Sequence, residues 1–303
     1  MDKSILNQFR LTVSERNLGV YGIKVVNAKG ESVSHRWRSD DPVQLYSASK
    51  TFTALAVGMC IDDGKLAVTD KILDFFPQYK AIATPGSEEI TIRDLLHMAS
   101  GKLDFWFGVD EITENTTDWA ELFFRMPVKK KPGTFFCYSN ACTYMLSRAV
   151  ECVSGEKLRD FLVPRLFTPL RIYNPQWHTC PTGHTVGAIG LCLTTEQLSH
   201  LGPLLLSGGK YEGKRIISES YLHDAVNDVF DNKDYSSDAE SASGYGYQMW
   251  RCTYPGAYRV DGMYGQFVIV VPDKSATITI TAHNEHCAND IVRAVFDDIV
   301  PYL

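Results

Sequence analysis

Ser47 and Lys50 stand three residues apart in the stretch Leu45-Tyr46-Ser47-Ala48-Ser49-Lys50-Thr51-Phe52-Thr53-Ala54. On a helix that spacing puts both side chains on one face, so the amine lies beside the hydroxyl. A serine hydroxyl is a poor nucleophile until a neighbouring base takes its proton, and a lysine whose pKa is lowered by burial or nearby cations can be that base. A helix start adds backbone N–H groups and the positive end of the dipole, both favourable to an oxyanion forming at the serine. The chemistry this pair predicts is acyl transfer through a serine nucleophile.

Two other Ser-x-x-Lys matches occur, Ser154-Gly155-Glu156-Lys157 and Ser207-Gly208-Gly209-Lys210. Both contain glycine and follow the end of a helical pattern, which suits surface turns. Only the Ser47 match leads into a long apolar helix, with Leu55, Ala56, Val57, Met59 and Ile61 following.

Around this helix the chain reads as strands at both ends with a helical middle. Residues 1 to 18 predict a helix, Gly19 to Val26 a strand, a turn at Asn27 to Gly30, and Glu31 to Trp37 the returning strand. Helical spacing follows at Thr91 to Met98, Trp119 to Arg125 and Ala141 to Val153, then in a further helix, and Thr194-Thr195-Glu196-Gln197 opens another before Leu198 to Leu206. Asp231 to Gly246 is polar and predicts a mobile loop. Tyr245 to Cys252, Tyr258 to Val260, Phe267 to Val271 and Ala276 to Ala282 predict strands, and Ala288 to Val300 a last helix. The fold class predicted is therefore α/β (α+β), an antiparallel sheet built from N- and C-terminal segments and flanked by helices, with a mostly helical insertion. A single domain of 303 residues is expected, its α/β lobe about 1–65 and 185–303 and its helical lobe about 66–184, meeting near Ser47.

Composition narrows the partners. A net charge of −6, from 30 basic and 36 acidic residues, offers no electrostatic footprint for nucleic acid or an anionic membrane. No apolar run reaches the roughly 18 residues of a membrane span. The first ten residues lack the apolar core and cleavage site of a signal peptide, so the chain reads as cytoplasmic. Eight cysteines without Cys-x-x-Cys pairs predict free, mostly buried thiols. His178, Cys180 and His184 match no common zinc spacing. The oligomeric state is left open.

Several segments together resemble the β-lactamase and penicillin-binding-protein-like serine hydrolases, most closely the branch of class C β-lactamases and related esterases. The resemblance spans about residues 20 to 300. Its carriers are Tyr46 to Thr53, Ile92 to Gly101, Pro132 to Asn140, Gly187 to Thr195, and Gly262-Met263-Tyr264-Gly265-Gln266 before a strand and Pro272-Asp273. It implies the transpeptidase-like fold, a small-molecule ester or amide substrate, and no metal or organic cofactor, since Ser, Lys and Tyr suffice.

The family's second motif, Tyr-x-Asn, falls on Tyr138-Ser139-Asn140, the chain's single such triplet. A phenol near a lysine ammonium loses its proton more easily, so Tyr138 could shuttle protons between Ser47, the leaving group and water. Asn140 could donate to a substrate carbonyl and accept from Lys50. In the third motif, Lys or His followed by any residue and Gly, alignment on Gly262 puts Val260 where the cation belongs. Arg259 is expected on the opposite face of that strand. Met263 can still supply an N–H to the oxyanion hole alongside that of Ser47. Trp106, Phe107, Trp250 and Tyr264 are candidates for the rim of the cleft.

The expected function is a Ser-Lys-Tyr serine hydrolase of small esters or amides, with Ser47, Lys50 and Tyr138 catalytic and Asn140, Gly262 and Met263 binding substrate. Penicillin turnover is disfavoured by Val260. The alternative is a relative that is acylated or binds ligand without turnover.

Overall fold

In the computed structural model, which describes residues 1–106 and 118–303, the chain's two ends meet in one sheet. Strands β1 (Val20–Asn27) and β2 (Ser32–Arg36) form the N-terminal hairpin, and β3 (Val43–Gln44) leads to helix α2 (Ser49–Asp62). An N-terminal helix, α1 (Asn7–Glu15), precedes them. The middle supplies α3 (Ile92–Leu96), α4 (Trp119–Arg125), α5 (Asn140–Ser154) and α6 (Leu158–Leu162), then β4 (Gln176–Trp177) and β5 (Leu191–Leu193). Helices α7 (Thr195–Ser199) and α8 (Leu201–Leu206), the hairpin β6 (Lys210–Tyr211) and β7 (Lys214–Arg215), and α9 (Glu219–Asn227) follow. Strands β8 (Trp250–Arg251), β9 (Tyr258–Gly262), β10 (Gln266–Val271) and β11 (Ala276–Ala282) and helix α10 (Asn289–Asp298) complete the chain.

The main sheet has the order β2-β1-β11-β10-β9-β8, with every neighbouring pair antiparallel. Val25 faces Ile278 across the β1–β11 pair, which closes the sheet from segments some 250 residues apart in sequence. Strands β10 and β11 are buried at every position, because helices cover both faces. On one face Phe267, Ile269, Ile278 and Ile280 pack with Phe9, Val13, Ile291 and Val295 of α1 and α10. On the other, Val260, Val268 and Val270 join Leu198, Leu201 and the residues of α2 and α5 in a second core.

Helix α2 is buried from Ser49 to Cys60, all round its circumference, as befits a helix at the centre of the molecule. Gly58 lets α9 approach, since a Cβ there would lie 2.4 Å from the Tyr221 ring. Capping boxes at Thr91/Asp94 and Thr194/Gln197 start α3 and α7.

Two expectations give way. The strand predicted over Tyr245 to Cys252 shrinks to Trp250–Arg251, because Gln248 takes a left-handed φ of 59° and turns its amide inward to the carbonyls of Leu95 and Leu96. The stretch Asp231 to Gly246 is no free loop. Asn232 and Glu240 are buried; Asn232 accepts from the Gly244 N–H at 2.7 Å, and Glu240 pairs with Arg259. Composition misled because those polar side chains serve the protein's own backbone and guanidinium rather than water.

All eight cysteines are free thiols, four of them buried. Among the described residues, no helix is long and apolar enough to cross a membrane.

Candidate active site

Ser47 lies in a single 3-10 turn, Tyr46–Ala48, that runs directly into α2. The residue before it, Tyr46, is held at φ 48°, a left-handed conformation that a bulky residue adopts only when its surroundings enforce it. Two contacts do so. The Leu45 N–H donates to the Leu191 carbonyl at 2.8 Å, and the Tyr46 ring meets the Tyr264 ring edge-on at 5.2 Å.

Lys50, one turn into the helix, is 1% exposed. Its Nζ donates to Ser47 Oγ at 3.0 Å, Asn140 Oδ1 at 2.6 Å and the Ala188 carbonyl at 3.1 Å. All three partners are neutral. Burial therefore dominates and lowers the amine to about 7, against smaller opposing effects of Cys142 and Asp261. The other two Ser-x-x-Lys matches have no such geometry: Ser154 donates to the Glu156 carbonyl and Ser207 to the carbonyls of Leu204 and Lys210, as surface turns require.

Tyr138 and Asn140 come from the start of α5, fixed where the Asn140 N–H donates to the Phe105 carbonyl at 2.8 Å. The Lys50 amine sits 4.9 Å from the centre of the Tyr138 ring, and the phenol interacts with the Ser47 hydroxyl. The expected easing of phenol ionisation is reversed. Burial raises the Tyr138 pKa well above its ordinary value, with the Asp261 charge acting in the same direction.

Gly262 closes the other side of Ser47. A Cβ on it would lie 2.1 Å from the Leu45 carbonyl and 3.1 Å from the Ala48 nitrogen, so only glycine lets β9 come this close to the serine turn. Met263 follows at the mouth, 55% exposed, and its N–H has no protein acceptor among the described residues. Val260 is fully buried in the apolar core. Arg259 lies on the opposite face from Val260, as alternation predicts. There its Nε donates to Asp261 Oδ2 at 2.8 Å and its Nη1 to Glu240 at 3.3 Å.

The rim differs in part from the expectation. Trp250 packs on Tyr138 at 5.5 Å between ring centres, and Tyr264 on Tyr46. Trp106 is half-buried beside Trp119, at 5.0 Å, and Phe107 lies outside the described residues. Three neighbours of Tyr138 escaped the sequence reading: Phe105 at 6.1 Å, Tyr235 at 6.3 Å and Tyr245 at 6.1 Å.

Across residues 16–297 the chain matches the family model described as Beta-lactamase. It belongs to that family. Among curated relatives, it is 26% identical to the lovastatin esterase of Penicillium rubens over 193 residues, 56% of this chain and 48% of that protein. It is 24% identical to the 6-aminohexanoate-dimer hydrolase of Paenarthrobacter ureafaciens over 200 residues, 62% and 51% of the two chains. The chain thus spans about half the length of the curated relatives it matches. In fold it is similar to EstCE1, a hydrolase with promiscuous acyltransferase activity, with a TM-score of 0.78, 16% identity and 98% of each chain covered. It is similar also to a penicillin-binding protein from Bacillus halodurans, with a TM-score of 0.74, 18% identity and 98% and 99% coverage.

Proposed function

We propose that this beta-lactamase-family protein is a serine hydrolase of small esters or amides, working through an acyl-enzyme on Ser47. The observation that carries the reading is the Lys50 amine, 3.0 Å from Ser47 Oγ and lowered to about 7 by burial among neutral partners. Near neutral pH much of it is unprotonated and able to accept the serine proton.

In the first step the Ser47 oxygen bonds to the substrate carbonyl carbon while its proton passes to Lys50 Nζ. The N–H groups of Ser47 and Met263 receive the oxyanion. Collapse breaks the bond to the leaving group, which takes a proton from Lys50 through Tyr138. Because burial keeps the phenol protonated, Tyr138 acts as a relay and hydrogen-bond donor, and Lys50 as the base. Water then attacks the acyl-enzyme by the same route in reverse. The α/β and helical lobes, about 1–65 with 185–303 and about 66–184, contribute Ser47 with Lys50 and Tyr138 with Asn140 respectively.

Val260, buried where the family's third motif has a cation, disfavours β-lactam turnover, since no ammonium or imidazole stands there to hold a substrate carboxylate. It also motivates a second reading, a protein acylated at Ser47 without turnover. Hydrolysis of p-nitrophenyl butyrate by the wild type and by Ser47→Ala separates them. Activity lost in the variant supports the hydrolase; a stable mass increase on Ser47 with no continuing product release supports the acylated binder. Equal hydrolysis by both proteins removes Ser47 from the mechanism.

A further inference from the structure

Gln248 is buried where three helices come together, and its amide and both its backbone groups are bonded to them. The hydroxyl of Thr51, the residue after Lys50 in α2, donates to the Gln248 carbonyl at 2.9 Å. The Thr143 hydroxyl donates to Gln248 Oε1 at 2.6 Å. Thr143 stands three residues after Asn140, on the same side of α5. Gln248 Nε2 donates to the carbonyls of Leu95 and Leu96 at 3.1 and 2.7 Å, and the Gln248 backbone N–H donates to Leu96 at 3.3 Å. Carbonyls only accept, so the amide nitrogen must face α3 and the amide oxygen Thr143.

The end of α3 leads on to Tyr138. Two residues past Leu96, the Met98 carbonyl accepts from the Cys137 N–H at 2.8 Å, and the Met98 sulfur accepts from the Ser139 N–H at 3.4 Å. Both neighbours of the phenol residue are thus fixed to one methionine. Gln248 itself is held at φ 59°, a left-handed conformation that a long side chain keeps only where its surroundings enforce it. The bonds of its own carbonyl to Thr51 and of its own N–H to Leu96 are that enforcement.

Resting on the hydrolase reading above, we infer that Gln248 is a positioning residue for acyl transfer: one buried amide ties α2, α3 and α5 together so that Lys50, Tyr138 and Asn140 stay in register around Ser47. It acts through Thr51, Thr143 and the end of α3. Register matters because the reach of a hydrogen bond is short. A slip of about 1 Å between α5 and α2 opens the 2.6 Å contact of Lys50 with Asn140 and misplaces the reacting groups. Water entering that gap relaxes the burial that lowers the amine.

Gln248→Met keeps the side-chain length and removes both amide groups. On p-nitrophenyl butyrate its kcat is expected to fall about 10²-fold with KM nearly unchanged. The half-rise of kcat/KM with pH is expected to move to the alkaline side by about half a unit or more. Thr143→Val cuts the tether to α5 alone and is expected to lower kcat about tenfold; combined with Gln248→Met it costs little more, since both break the same bond. Variants that lose stability to urea but keep the wild-type kcat and half-rise overturn the inference, as does a double variant showing the full product of the two single losses. The same kinetic losses in Ile278→Val, a core variant on the α1 and α10 side of the sheet, also overturn it, because they would follow from lost stability alone. If Gln248→Met does not fold, Thr143→Val and its pH profile decide. If the wild type does not hydrolyse the ester, the hydrolase reading fails by itself, and NMR titration of 13C-labelled lysine side chains judges Gln248 separately, the Lys50 signal being the one lost in Lys50→Arg. A Lys50 midpoint moved to the alkaline side in Thr143→Val upholds the inference, and an unmoved one overturns it.

Discussion

Lys50 Nζ donates to Asn140 Oδ1 at 2.6 Å, a neutral acceptor placed where a carboxylate would fit the same space. The bond orients the amine but brings no full negative charge to offset desolvation, so burial prevails and the pKa sits near 7. Asn140→Asp puts an opposite charge at that distance and favours the ammonium. The rise of kcat/KM with pH is expected to move at least one unit to the alkaline side, with a matching loss of rate at pH 7. A pH–rate profile of the two proteins checks it.

For the wild type, kcat/KM on a neutral ester rises with pH through half its maximum near 7, because the base must be unprotonated. Tyr138 is held protonated well above its ordinary range, so it causes no fall in rate on the alkaline side below about pH 10. Tyr138→Phe lowers kcat by about 10²–10⁴-fold while the half-rise stays near 7, as expected of a lost relay rather than a lost base.

Gly262→Ala drives a methyl group into the Leu45 carbonyl, 2.1 Å from the ideal Cβ position. The strand and the serine turn must separate, at a cost of about 1–3 kcal/mol in stability. Urea unfolding reads that cost, and ester hydrolysis is expected to fall further than in an Ala substitution at exposed Gly30, far from Ser47, where the Cβ meets nothing within 4 Å and only the left-handed φ of 78° is strained.

Lys102 is a second buried amine, 1% exposed, with neutral partners in Ser87 at 3.0 Å and the Met126 carbonyl at 2.6 Å, and burial lowers it to about 7. Thr84 already donates to Met126 and meets Ser87, so those partners stay satisfied without it. Between pH 7 and its ordinary value near 10.5 the unfolded chain binds a proton at this lysine that the folded chain does not, so the wild type gains stability as pH rises through that window. Lys102→Met is expected to raise stability at pH 6.5 by about 1–4 kcal/mol and to flatten that gain, measured by urea unfolding at pH 6.5 and 9.

Much of this molecule was legible from short-range spacing. The Ser47–Lys50 pairing is a property of one helical turn, and the burial of that helix was written in an apolar run with no polar face. Runs rich in β-branched residues at Phe267 to Val271 and Ala276 to Ala282 marked the central strands, and alternation set Val260 and Arg259 on opposite faces. Glycine's place at 262 was visible as part of a motif, though its reason, the backbone of Leu45, was not.

What the sequence by itself determined were the relations that span a helical turn or a strand: the pairing of Ser47 with Lys50, the strands and most of the helices. Tertiary structure alone decided the relations that need distant segments to converge. Gln248 reaches Leu95 across 153 residues, a meeting that depends on the packing of whole elements rather than on neighbours in the chain, while the Asn140–Lys50 bond across 90 residues was expected only through the motif's resemblance. The same holds for the charge states. Whether Tyr138 gives up its proton depends on how much water the fold leaves beside it, and the burial that lowers Lys50 raises Tyr138, because removal from water penalises whichever form carries charge.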